Sequence, residues 1–421
     1  MRVLVLGSGA REHALVRALQ QDPAVTDLVC APGNAGTGER PLDASDPAAV
    51  VALAQRLDAD LVVIGPEAPL VAGVADALRD KGFACFGPSA AAARIEGSKS
   101  FAKDVMRAAG VPTAAALTFT DDNDCAAYLA GAQPPYVVKA DGLAAGKGVH
   151  VGADLSDAVD FAREALATFG GRVVVEEYLA GPEVSLFALS DGTTVVPLLP
   201  AQDFKRIGDG DEGANTGGMG AYAPLPWLPA GTVDEVQRTV LQPVVDELAA
   251  RGTPFSGLLY AGLAMTASGP QVIEFNCRFG DPETQSVLAL LETPLAEVLL
   301  ACATGRLGEL PPLRWRDAAS VTVVVAAEGY PASPAIGDEV TVGALPDGVH
   351  VLHAGTRSDG DRAVSSGGRV LSVTSVAPDL ARARQLAYEG AAAVTLRGAH
   401  TRTDIALRAV RGEVTIPALG D

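Results

Sequence analysis

Residues 3–6, 28–31, 61–65 and 84–87 are brief, nearly continuous apolar runs, and between them residues 12–20, 47–57 and 70–81 repeat their apolar positions at helical spacing. A short continuous run reads as a strand covered on both faces. Its alternation with helices predicts βαβ units and a parallel, doubly wound sheet. Ligands of such sheets collect at the strand C-termini, where loops 7–9, 32–34 and 65–67 fall. From about residue 99 the pattern shifts to longer helices and to runs suited to antiparallel strand pairs, at 136–140, 149–152, 173–177 and 184–189. Residues 232–306 read as helices flanking a strand at 271–275. Beyond Pro311-Pro312 the spacing predicts a β-rich tail, with strands at 321–326, 349–354 and 369–374 and a helix at 378–394. The fold class is therefore α/β and α+β, multidomain.

Composition bounds this picture. With 421 residues, 48% of them hydrophobic, the chain can build two to four domains around real cores. A net charge of −19 argues against a protein that coats nucleic acid. It also requires that an anionic substrate be drawn in by local positive charge, against the field of the whole molecule. The five cysteines, Cys30, Cys85, Cys125, Cys277 and Cys302, are odd in number and sit mostly in apolar runs, so they read as reduced core residues. The first apolar run meets Gly7 too soon for a signal sequence, and no uncharged stretch is long enough to cross a membrane. The expected location is the cytoplasm.

Only six of the 32 basic residues are lysine, and five of those, Lys99, Lys103, Lys139, Lys147 and Lys205, lie in or beside glycine-rich or charged segments. Lys81 alone reads as ordinary helix surface. A chain that uses arginine wherever any cation suffices keeps lysine where a compact ammonium is needed, as beside nucleotide phosphates. Asn34, Asn215 and Asn276, three of the four asparagines, likewise sit in motif-like runs.

Gly7-Ser8-Gly9-Ala10-Arg11-Glu12 begins like a dinucleotide fingerprint, but Glu12 replaces the third glycine and Pro32 follows the second strand in place of an acidic residue. NAD is disfavoured, while a glycine turn feeding a helix can still hold a phosphate or carboxylate; a turn needed only for packing is the equal alternative. Asp141-Gly142-Leu143-Ala144-Ala145-Gly146-Lys147-Gly148 lacks the Ser or Thr of a P-loop, yet its amides and Lys147 can fold over a triphosphate. Lys139 ends the preceding strand, aimed at that lid. In Ile273-Glu274-Phe275-Asn276-Cys277-Arg278, strand alternation sets Glu274, Asn276 and Arg278 on one face, a set suited to magnesium and phosphates. Residues 176–179 could present backbone to an adenine. Residues 202–206, followed by the glycine-rich 208–220, read as a mobile polar loop over the site.

Together, residues 9–15, 31–37, 65–70, 96–99, 139–148, 215–222 and 273–285 resemble, in order and over most of the chain, the glycinamide ribonucleotide synthetases of the ATP-grasp superfamily. The resemblance implies a Rossmann-like N-terminal domain (1–98), a two-lobed ATP-grasp core (99–306, small lobe about 112–188) and a C-terminal β-rich domain (319–421). It implies ATP-dependent ligation of glycine to 5-phosphoribosylamine through glycyl phosphate, in purine biosynthesis, with magnesium or manganese. Lys99 and Lys139 would hold phosphates and Gly142, Gly146, Lys147 and Gly148 would form the lid. Glu176, Glu177 and Leu179 would frame adenine, Glu183 would bind ribose, and Glu274 and Asn276 would ligate the metal. Arg278 is the candidate cation for the transferring phosphoryl group, with Lys139 and Asp203 as further catalytic candidates. Gly9, Arg11, Asn34, Gly36, Thr37, Glu67, Asp203 and Gly218 are candidates for holding glycine or the ribosylamine.

Three departures from the family stand out: a short stretch between Phe161 and Val173, Phe204 in place of a common histidine, and His400-Thr401-Arg402-Thr403-Asp404-Ile405-Ala406 near the C-terminus. A sister ligase on another carboxylate or amine is the nearest rival. A non-catalytic nucleotide sensor would have eroded Lys139, Glu274, Asn276 or Arg278, and all are present. The expected partners are small molecules only, and the expected state is a monomer or weak dimer.

Overall fold

The structure is a computed structural model and describes residues 1–143 and 148–418. The lid candidates Gly146 and Lys147 lie outside the described residues.

In the N-terminal sheet Arg2–Gly7 is central, with parallel neighbours Asp27–Asn34 and Leu61–Ile64, and Ala84–Phe86 pairs in parallel beyond the latter. Leu4, Val5, Leu6, Val62 and Val63 are fully buried, the outcome expected of strands covered on both faces. Helix Pro47–Leu57 begins with Pro47 in its first turn, and the Asp46 side chain accepts the Ala48 and Ala49 amides. The single helix expected over 70–81 is instead two, Glu67–Val71 and Val74–Asp80. Gly73 lies between them at φ +83°, a left-handed backbone that ends one helix and starts the next.

A four-stranded antiparallel sheet follows, ordered Ala116–Phe119, Val173–Glu176, Tyr136–Ala140, Val149–Gly152. Helices Asp122–Gly131 and Leu155–Thr168 bury Cys125, Leu129, Ala158 and Ala162 against it in a core of its own. Glu183–Asp191 does not join this sheet. It runs antiparallel to Ser256–Thr266, which in turn pairs with Gly269–Asn276, so the hairpin that carries Glu274 stands in a second sheet. Where residues 232–306 were read as helices around one strand, Ser256–Thr266 adds a long central strand buried over nearly its whole length.

The third large sheet corrects another expectation. Residues 202–220 are not a mobile loop: Gln202–Asp203 pairs with Gly220–Ala223, and Gly220–Ala223 pairs with Ala319–Ala326 of the C-terminal sheet. Within the excursion, Arg206–Gly208 pairs with Glu212–Asn215. Arg369–Ala377 and Val349–His353 complete that sheet, and helix Leu380–Ala392, capped by Asp379, packs on it.

Candidate active site

Lys139, at the end of Tyr136–Ala140, is almost wholly buried. Its Nζ donates to the Ile273 carbonyl at 2.9 Å and lies 2.8 Å from Glu176 Oε2, so the strand that precedes the glycine loop is tied to the strand that carries Glu274. Lys103 stands 3.3 Å from the other oxygen of Glu176 and donates to Thr113 Oγ1 and the Ala114 carbonyl. Glu176 is thereby held between two ammonium groups. Burial and the nearby Lys139 pull Lys103 below its ordinary pKa, against the pull of Glu176. Lys103 and Lys99 are not in a loop but on helix Lys99–Ala109, and with Lys139, Glu176 and Glu274 they line one small cavity. Lysine scarcity singled out Lys103, but no role for it was drawn from the sequence.

Glu274 is half-buried. Burial opposes its ionisation, yet Lys205, Lys99, Lys139 and Arg278 outweigh that and hold its carboxyl below the usual range. Lys205 reaches back to Glu183, with Nζ 2.5 Å from Oε2. Burial, together with Glu283, Glu183 and Glu274, pushes Asp203 up to about 8 against the attraction of Lys205. Glu177 and Glu183 are exposed and Leu179 is half-buried. Gly142 and Gly148, both lid candidates, flank residues 144–147, and the Gly148 carbonyl accepts the Ala140 amide. At the lid's base, Asp141 accepts from the Ser98 and Ser100 hydroxyls and the Ser100 amide.

Arg278 is bracketed by two carboxylates, Glu67 at 3.3 Å and Glu96 at 3.0 Å. Glu96 also accepts the Cys277 amide, which fixes the backbone beside the guanidinium. Arg278 holds Glu67 ionised although burial resists it. Glu96 carries no sequence signal of its own beyond its place next to Lys99.

A second cavity, of about 420 Å³, opens where three parts of the chain meet. Ser8, Gly9 and Gly33 line it from the N-terminal sheet, Asp281 from the centre, and Thr356, Arg357, Ser366 and Arg369 from the C-terminal part. Arg369 is occupied: it pairs with Asp281 at 3.2 Å and donates to the Gly217 carbonyl. Gly218 sits there at φ +108°, where a side chain would strike Pro282. Arg357 has no carboxylate partner among the described residues.

Several candidates turn inward instead. The Gly9 amide is taken by the Glu12 carboxylate at 2.6 Å, so the helix start expected to hold a ligand anion is filled by the chain's own. Arg11 is buried against Glu12 and the Phe279 carbonyl, away from the cavity. Asn34 spends its amide on the Ser8 and His353 carbonyls and its oxygen on the Gly36 and Thr37 amides. A side chain at Gly36 would collide with His13 and His353. Asn34 and Gly36 thus fasten the N-terminal sheet to strand Val349–His353, and Thr37 closes the Asn34 turn beside Gly33 of the cavity wall.

Family models described as the N, ATP-grasp (A) and C domains of phosphoribosylglycinamide synthetase match residues 1–96, 97–284 and 320–408. The chain belongs to the phosphoribosylglycinamide synthetase family. A relative in Streptomyces coelicolor called phosphoribosylamine–glycine ligase is 62% identical, over 97% of this chain and 99% of its own. One of the same name in Mycobacterium tuberculosis is 57% identical, over 99% and 100%. The crystal structure of phosphoribosylamine–glycine ligase from Thermotoga maritima superposes with a TM-score of 0.82 at 32% identity, covering 96% of this chain and 100% of that one. The parallel N-terminal sheet, the antiparallel sheets that follow and the C-terminal sheet agree with the fold that the resemblance implied.

Proposed function

We infer that the chain joins glycine to 5-phosphoribosylamine at the expense of ATP, giving glycinamide ribonucleotide, ADP and phosphate. Family membership over the full length supports the reaction. The observation that carries it in the structure is the gathering of Lys99, Lys103 and Lys139 with Glu176 and Glu274 around one small cavity.

A glycine carboxylate and a γ-phosphate repel, so the chemical problem is to bring two anions into line. Lys139 is suited to this because Ile273 and Glu176 hold its ammonium at a fixed point. Transfer of the γ-phosphoryl group breaks its bond to ADP and makes glycyl phosphate; the amine of the ribosylamine then attacks the carbonyl and expels phosphate. Arg278, positioned by Glu67 and Glu96, follows the transferring group. Asp203 takes up the proton that leaves the attacking amine when it is in its carboxylate form, and with its carboxyl pushed up to about 8 that form grows as pH rises toward 8. Glu176, Glu177, Leu179 and Glu183 border the nucleotide, with Gly142 and Gly148 at the ends of the segment assigned as its lid.

Glu274 and Asn276 fit magnesium or manganese. The carboxylate is kept ionised, both side chains offer hard oxygen, and neither is hydrogen-bonded by protein among the described residues. No cluster of three His, Cys, Asp or Glu suited to a metal occurs among the described residues, in keeping with an ion that completes its shell with water and phosphate. Bound there, the ion would offset phosphate charge.

The 420 Å³ cavity is assigned to phosphoribosylamine, with Arg357 facing its phosphate and Gly9 giving room; Gly218 serves it indirectly, through the loop that Arg369 holds. In this reading residues 1–98 and 319–421 close on the ribosylamine and 99–306 hold ATP, in a cytoplasmic monomer or weak dimer.

The test is ADP release with magnesium and ATP, comparing glycine alone, phosphoribosylamine generated in situ alone, and both, with mass detection of the product. Release and glycinamide ribonucleotide only with both substrates is the expected result. Turnover with a different amine or carboxylate would move the assignment to a sister ligase.

A further inference from the structure

Asp203 and Lys205 open an excursion that leaves the third sheet after Gln202–Asp203 and returns to it at Gly220–Ala223. What fixes its far end is the last part of the chain. Arg402 is fully buried, yet every polar edge of its guanidinium is used. Nε and Nη2 donate to the two oxygens of Asp404 at 2.8 and 2.7 Å, and Nη1 donates to Asp211 at 2.8 Å and to the Arg206 carbonyl at 3.2 Å. Its carbon lies 4.9 Å from the centre of the Phe204 ring, so the cation also covers the residue between Asp203 and Lys205.

The neighbours of Arg402 extend the grip. Thr403 donates its amide to Asp209 at 2.7 Å, and the Gly210 amide donates to Asp404 at 2.9 Å. His400 Nε2 is 2.8 Å from the Ile207 carbonyl. The gripping segment is itself anchored, because Tyr388 Oη donates to the Arg402 carbonyl and Arg384 donates to the Ile405 carbonyl. At the active-site end the same strand delivers Lys205 to Glu183.

We propose that Arg402 is a positioning residue for the ligase reaction: its clamp on Phe204, Arg206 and Asp211 holds Asp203 and Lys205 in register opposite Glu183 and Glu274. Lysine cannot substitute, since one ammonium cannot satisfy Asp404, Asp211 and a carbonyl in one plane while stacking on a ring. The proposal rests on the ligase reading for its kinetic half only.

The full-length protein is tested as Arg402→Lys and as Asp211→Asn. Asp211 is an exposed arm of the clamp at φ +59°, a backbone that asparagine adopts readily, so this variant folds even where the buried one does not. Native-state trypsin cleavage after Lys205 and Arg206, read by mass spectrometry without ligands, reports the excursion directly. Loss of a charge-assisted contact should speed cleavage at those two bonds about tenfold, with kcat falling by a comparable factor and the Tm of Asp211→Asn near that of the parent. Arg402→Lys should do both more strongly. Unchanged cleavage in both variants, full kcat despite faster cleavage, or a fall in Tm with cleavage spread along the chain would each overturn the proposal. If the parent forms no glycinamide ribonucleotide the ligase reading fails, and cleavage alone then decides the clamp.

Discussion

Lys139 and Glu176 form an ion pair at 2.8 Å in which each side chain keeps only 4% of its surface exposed. Removing Lys139 leaves buried Glu176 with Lys103 as its remaining ammonium. Lys139→Met should therefore destabilise the fold by about 2 kcal/mol in urea unfolding, less than a fully stranded charge would cost, in addition to lowering turnover at least a hundredfold. Lys139→Arg should not restore turnover, because the site between Ile273 and Glu176 accepts a compact ammonium. Retention of normal turnover in Lys139→Met would remove this lysine from the phosphate site.

Glu274→Ala should keep the fold, since its carboxylate makes no protein hydrogen bond among the described residues, and lose nearly all turnover. Titrating the variant with magnesium separates the explanations. Recovery to normal rates at ordinary magnesium would sink the metal assignment, whereas persistent inactivity with an unchanged circular dichroism spectrum supports it.

Arg357→Ala addresses the larger cavity. An exposed guanidinium facing a phosphate contributes to ground-state binding, so the KM for phosphoribosylamine should rise about tenfold while the KM values for ATP and glycine stay put. A change confined to the KM for ATP would place the ribosylamine elsewhere.

Acid should weaken the seam between the N-terminal sheet and Val349–His353. Burial lowers His13 to about 4 and His350 to about 3, and it lowers His353 as well. The unfolded chain takes up protons on these rings near pH 6.5 while the folded chain does not, so their contribution is complete above that pH. It is lost as pH falls from about 6.5 toward 4. Urea midpoints at pH 7.5 and pH 5 should show the loss, and His350→Asn should lose less on acidification than the parent. An equal loss in both would assign the effect to carboxylates.

The parallel sheet was legible because Arg2–Gly7 and Leu61–Ile64 must be apolar on both faces, and that leaves a continuous run. Ser256–Thr266 was not, because a uniformly apolar strand interrupted by Gly257 and Gly262 carries no alternation to separate it from a buried helix. Among site residues, Lys139 and Glu274 could be read from their own neighbourhoods. Whether Asn34 faces a ligand or its own turn depends on the His353 carbonyl, more than three hundred residues away, and the grip of Arg402 on Asp211 is equally non-local. Local pattern cannot report such partners.

The strand Gly220–Ala223 lies between Gln202–Asp203 and Ala319–Ala326, so the part of the chain that matches the ATP-grasp (A) domain lends material to the C-terminal sheet. A protein cut near residue 310 would carry away Gly220–Ala223 with one side bare, a row of open amides and carbonyls inviting self-association. The excised tail would in turn lack its outer strands. Residues 319–418 are thus no cassette that recombination could exchange alone; a working graft has to bring residues 202–223 from the same parent.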